Sequence, residues 1–345
     1  GPPQHRPAPP APPARCPLGA CWYSCEASIG ARWSVGGRRR LRPMVAEALV
    51  YLAKGDGGRV AKHGGPTHAA VTACLFYVVV LGAGVLADCG VEAVARTPRD
   101  TQLPPSPVAV VVFVAYWALL FGSRLAWAPS DCAKTIYELA WSCTASLLSA
   151  ALALCLRRAA LLCAAGLMVA IDQALWLVDI IGYLALGKMP VKVCGYLFWP
   201  STTLAKKVTA MHHVVFIPAT LFLGARGDSG IPLGRAFLVV AVQTVACQAI
   251  CRFATPLELP PPRGVPGSSR TSEAPVYLNL NLCYESFPGV KVEWIRRFDR
   301  GPAHVYLPWM LWIWNLGNFL SFVTMAAVFL PVAHVFGLPG AYIAF

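Results

Sequence analysis

Two adjacent histidines, His212 and His213, and two aspartates seven positions apart, Asp172 and Asp179, stand in otherwise apolar sequence. Both residue types titrate, so together they could move a proton or assist group transfer. An aspartate at mid-helix in a hydrocarbon core costs about 2.5–3.5 kcal/mol on insertion scales, so such residues face a bundle interior and pair there. The seven-residue interval is two helical turns and puts Asp172 and Asp179 on one face. A later apolar stretch carries Gln243 and Gln248 and ends near Arg252, and the last carries Asn315 and Asn318. Gln248, Asn318 and Cys247 read as interhelical packing, a polar contact there being worth ~0.6 kcal/mol.

The elements that must hold these residues are membrane-spanning helices. Of the chain's residues, 57% are hydrophobic and 13% charged. Seven stretches reach the ~20 residues that cross a hydrocarbon core, at 69–89, 108–128, 137–156, 159–186, 205–225, 235–254 and 306–330. The expected fold is an all-α polytopic transmembrane bundle. With the N-terminus cytosolic, 23 Lys and Arg fall on the cytosolic side and 6 on the other, the bias of the positive-inside rule. That topology brings Asp179, His212, His213, Arg252 and Asn315 into one leaflet, where they could line a polar cavity open to the cytosol. The other half of every span reads as almost wholly apolar.

The flanks differ in kind. Residues 1–43 are rich in Pro and Arg and read as a disordered arm or as sequence upstream of the true start. Residues 44–68 read as a short interfacial segment whose part 44–54 could be an amphipathic helix on the membrane. The span region is 69–336, interrupted at 256–300 by a flexible cytosolic loop whose first part is Pro-rich, and 337–345 is a short tail. The net charge of +13 is expected to face anionic lipid rather than nucleic acid.

Metal chemistry is not expected. Adjacent helical positions point ~100° apart, so His212 and His213 should not share one ion. No CxxC pair occurs among the 13 cysteines, most of which read as small hydrophobes within spans. No HxxHH box is present, and the last span has no lysine for a retinal Schiff base.

The stretch Thr209-Ala-Met-His212-His213-Val-Val-Phe resembles the TLC-domain family, multipass membrane proteins that include ceramide synthases. Asp179-Ile-Ile-Gly182-Tyr183 and the pairing of Gln243 with Arg252-Phe253 extend the resemblance across roughly 69–330. Gln243 stands where the family has an acidic residue, the Asp and Gly-Tyr order is reversed, and 256–300 looks like an insertion. The resemblance implies a lipid-handling protein of the endoplasmic reticulum that binds, senses or moves membrane lipid. It also implies an alternative, acyl transfer from acyl-CoA as co-substrate with no resident cofactor. There His212 or His213 would act as base or acyl carrier and Asp179 would orient them. Lys206, Lys207 and Arg252 would meet the phosphates, and Asp172, Gln243 and Asn315 would line the substrate cavity. A proton-coupled transporter or channel is a third reading, disfavoured by the polar lining of one leaflet only.

Overall fold

The computed structural model describes residues 65–95, 102–127, 132–198, 200, 202–227, 229–259, 276–286 and 292–344. All of them belong to one compact unit, Ala48–Phe345. The arm at 1–43, the amphipathic helix expected at 44–54 and most of the Pro-rich part of the loop lie outside the described residues. The helices are α1 (Pro66–Ala95), α2 (Pro107–Trp127), α3 (Cys132–Tyr137, continued by a 3-10 turn at Glu138–Ala140), α4 (Ser142–Cys155), α5 (Ala159–Leu167), α6 (Ala170–Leu186), α7 (Leu204–Ala210), α8 (His212–Gly224), α9 (Leu233–Ala254), α10 (Glu293–Arg296) and α11 (Ala303–Val335).

Five stretches are long and apolar enough to cross a membrane: Pro66–Val94, Pro107–Ala126, Leu204–Gly224, Leu233–Ala254 and Ala303–Val335. Two further pairs, Ala133–Ala140 with Ser142–Cys155 and Ala159–Leu167 with Ala170–Leu186, pass the same test together but bend by 56° and 53°. The molecule is therefore a helical integral membrane protein with five to seven candidate spans, two of them broken where the sequence predicts continuous helices.

The breaks have physical causes. Non-helical backbone at membrane depth must find partners within the protein, and side chains supply them here. At the first break Trp141 is extended, with ψ 138°. The Asn281 amide bridges the gap, donating to the Ala140 carbonyl at 2.6 Å and accepting from the Ser142 N–H at 2.7 Å. At the second break Asn318 does the same, donating to the Met168 carbonyl at 3.3 Å and accepting from the Ile171 N–H at 2.8 Å. Gln173 accepts from the Ile217 N–H at 3.2 Å, next to Pro218 within α8.

Helix α5 is buried along its whole length. Its small residues and those of α4 permit that, because small side chains let helix backbones approach. A Cβ added at Gly166 would stand 2.8 Å from Thr220 Oγ1. Helices α1 and α9 make the most extensive pair around this centre.

Loop contacts sort into two ends of the bundle. At the first, His68 Nδ1 meets the Tyr137 hydroxyl at 2.5 Å, Thr72 Oγ1 donates to the Ala254 carbonyl and Arg124 pairs with Glu138. At the second, Leu103 N–H donates to the Arg157 carbonyl, and β1 (Ile231–Pro232) pairs in parallel with β4 (Ile343–Ala344). The C-terminal residues expected as a tail are thus docked. The region expected as one flexible loop also changes character. Strands β2 (Glu258–Leu259) and β3 (Val276–Tyr277) pair antiparallel, and Leu278, Leu280, Cys283 and Tyr284 are buried. Its apolar side chains and Asn281 make this segment part of the core that closes the first end.

Candidate functional site

The two histidines begin α8, just after the helix tightens. Met211 N–H donates to the Val208 carbonyl and Val214 N–H to the Met211 carbonyl, both three residues back. Tyr116 of α2 braces this turn, its hydroxyl 2.9 Å from the carbonyls of Val208 and Thr209. His212 is 3% exposed. Its Nδ1 lies 2.7 Å from the Thr209 carbonyl and so carries the proton, leaving Nε2 with a lone pair and no hydrogen-bond partner. The His213 ring stacks on Trp176 of α6 at 4.6 Å and 15°, and its Nδ1 is buried without a partner.

The expectation that the pair diverges is wrong. The two rings lie 4.1 Å apart at an interplanar angle of 36°. The 100° step describes where side chains leave the helix, whereas two rotatable bonds decide where imidazoles end. Here the Thr209 carbonyl fixes one ring and Trp176 the other. Cys143, in the first turn of α4, completes a cluster. Its Sγ and one ring nitrogen from each histidine all lie within 4.8 Å of one another.

Asp179 does not serve this pair. Its carboxylate accepts from the N–H groups of Val191 at 2.8 Å, Lys192 at 2.9 Å and Cys194 at 3.2 Å. It therefore staples the loop after α6. Burial, followed by that carboxylate, pushes the Cys194 thiol above its ordinary pKa. Asp172 is half-buried and makes no hydrogen bond or ion pair among the described residues. Trp176 sits between the two aspartates on the same helical face. That spacing was readable in the sequence, and Trp176, Tyr116 and Cys143 are the site residues that the sequence reading missed.

The remaining candidates are engaged elsewhere. Gln243 Nε2 reaches the Val80 carbonyl and Ser149 Oγ, each at 3.4 Å, between α1, α4 and α9. Asn315 accepts from Thr244 Oγ1 at 3.0 Å. Arg252 is buried, donates to the carbonyls of Cys283 at 3.1 Å and Gly301 at 2.9 Å, and lies 4.4 Å over the Tyr284 ring. It anchors the segment that closes the first end. Lys206 and Lys207 are exposed, Lys206 lying 5.2 Å over the Tyr196 ring.

His212 lines an apolar groove of about 600 Å³ between α2 and α8. Val112, Phe113, Val215, Phe216, Ala219 and Phe222 form its walls, His212 and Tyr116 stand at one end, and Ser106 and Arg226 at the other. Arg226 Nη1 donates to Ser106 Oγ at 3.0 Å. From His212 to Arg226 a helical rise of 1.5 Å per residue gives a length of about 21 Å. Val112, Val215 and Phe222 are exposed, so the groove opens on the flank of the bundle.

The second end is not apolar either. Asp88, 1% exposed, accepts from Arg158 Nε and Arg235 Nε, both at 2.6 Å, and Arg158 Nη2 meets Glu92 at 2.6 Å. Burial lowers the Arg158 pKa, but the bonds to Asp88 and Glu92 outweigh it and raise it overall. The one-leaflet polarity expected from the sequence is corrected by this cluster. Comparison with protein-family models, with curated proteins and with solved structures finds no match to this chain, so the geometry just described carries the functional reading.

Proposed function

We propose that this chain is a seven-span membrane protein with a cytosolic N-terminus that binds a single lipid chain in the groove between α2 and α8. The first end of the bundle is then the cytosolic one, and each bent pair is one span. The observation that carries the reading is the groove itself, apolar along its walls, about 600 Å³ in volume and open toward the side where acyl chains lie. Ligand sites of this kind are concave, largely apolar and set with a few polar groups that fix orientation. Arg226 and Ser106 at one end suit an anionic or hydroxylated headgroup. The basic residues counted on one side and the resemblance to TLC-domain proteins support the topology, a lipid ligand and an endoplasmic-reticulum membrane.

Filling the groove is the direct test. Ala219→Trp places an indole between the walls and is expected to cut photocrosslinking by a diazirine-bearing fatty acid at least fivefold. Val328→Trp on α11, at an exposed position outside the groove, should leave crosslinking unchanged. Equal labelling of both variants in normally inserted protein would remove the groove as the binding site.

Acyl transfer is the second reading, favoured by one observation: His212 reaches the groove and its Nε2 has no partner. Transfer from a panel of acyl-CoAs to long-chain amines, compared between wild type and His212→Ala in native membranes, tests it. Activity abolished by the substitution supports catalysis, and an inactive wild type leaves lipid binding alone.

A further inference from the structure

We infer that Cys143, His212 and His213 bind one thiophilic metal ion, Zn²⁺ or Cu⁺. The three donor atoms come from two helices, α4 and α8, and lie within 4.8 Å of one another. Zinc ligands stand about 2.0–2.3 Å from the metal, which puts them about 3.3–3.5 Å from one another in a tetrahedral site, so donors within 4.8 Å close on a single ion by an inward shift of at most about 1.5 Å. A thiolate with two imidazoles is a donor set that selects zinc or monovalent copper over oxygen-loving cations.

Two independent features point to a ligand rather than to packing. His212 is 3% exposed, and its Nε2 is buried with no hydrogen-bond partner, as is Nδ1 of His213. A buried polar atom without a partner has lost its water and gained nothing in exchange, and two on adjoining rings double that cost unless something binds both. The His212 ring is also set as metal-ligating histidines are. Its other nitrogen donates to a backbone carbonyl, that of Thr209, which fixes the tautomer and directs the lone pair to Nε2. Trp176 holds His213 by stacking in the same way. Binding releases the Cys143 thiol proton.

Three protein donors leave a fourth position open, as in zinc sites that take a water or substrate. The inference stands apart from the lipid reading, since neither requires the other. It does compete with acyl transfer, because a metal-bound Nε2 cannot also attack an acyl group.

The test uses the full chain purified in detergent, reduced and kept anaerobic. Cobalt titration is expected to give a thiolate-to-cobalt charge-transfer band that saturates near one equivalent and is displaced by zinc. Cys143→Ala should abolish the band, His213→Gln should weaken binding at least tenfold, and Cys163→Ala, which removes a buried thiol outside the cluster, should change nothing. Competition against a Cu⁺ chelator under the same conditions ranks copper against zinc, and high affinity for either that is lost in Cys143→Ala supports the site. Wild type that binds neither ion overturns it. So does a band that persists in Cys143→Ala, which would trace to other thiols such as Cys16, Cys21 and Cys25. Monodispersity of each variant on gel filtration separates loss of the site from loss of the fold.

Discussion

Asp88→Ala is expected to destabilise the protein by about 3–5 kcal/mol, the largest effect of any single substitution considered for this chain. Removing one partner of a buried ion pair leaves the other charge uncompensated, which is where a cost of this size arises. Two guanidinium groups depend on this carboxylate, Arg158 and Arg235, each with Nε at 2.6 Å. Arg235 also donates from Nη2 to the Asp88 main-chain carbonyl at 3.0 Å. The three residues come from α1, the α4–α5 turn and α9, so the contact ties three elements at the second end. Glu92, with a side chain 25% exposed, is the rim of the same cluster. Glu92→Gln is expected to cost about 1 kcal/mol, in the range of exposed pairs. Thermal unfolding in detergent, followed by loss of the monodisperse gel-filtration peak, measures both. A loss below about 1 kcal/mol for Asp88→Ala, or one no greater than for Glu92→Gln, would show that the cluster is solvated and not structural. Arg158→Ala and Arg235→Ala should be non-additive in combination, because they share the same two carboxylates.

Asp179→Ala should have the second-largest effect, about 2–3 kcal/mol, and should act on the loop after α6 and not on the histidines. Three N–H groups lose their acceptor at once, those of Val191, Lys192 and Cys194. A buried donor left unsatisfied costs about 1–3 kcal/mol; Cys194 is buried, whereas Val191 is half-buried and Lys192 exposed, so water replaces part of what they lose. Asp179→Asn keeps one acceptor oxygen and is expected to cost about 1 kcal/mol. Hydrogen exchange reads the site directly, with the amides of residues 191, 192 and 194 exchanging faster in Asp179→Ala. Unchanged exchange there, with lipid binding or acyl transfer lost, would return Asp179 to the catalytic role expected from the sequence.

These two aspartates mark what a linear reading can and cannot weigh. Asp179 was conspicuous because it titrates inside a span, and the costs of burying it do demand partners. Partners among side chains were the natural expectation, yet the backbone of a loop 12 to 15 residues on supplied them. Asp88 and Glu92 lie one turn apart near the end of the first helix. Arg158 and Arg235 are among the few basic residues on the minority side of the charge count. Basic residues that go against the positive-inside bias, with acids at a neighbouring span end, were the readable signal of an internal ionic cluster.

Hydropathy by itself determined that this is a helical membrane protein, because only a continuous apolar run of sufficient length can leave backbone groups self-satisfied in lipid. It also gave the regions in which the helices begin and end, and the interhelical role of Asn318. Tertiary structure alone decided that two of the candidate spans are bent, since Asn281 and Asn318 reach the breaks from 139 and 147 residues away. Only tertiary structure, too, brought Cys143 to His212 and His213 and opened a groove beside them. Helical periodicity fixes where a side chain leaves its own helix, whereas ring rotation and the packing of neighbouring helices fix what it meets.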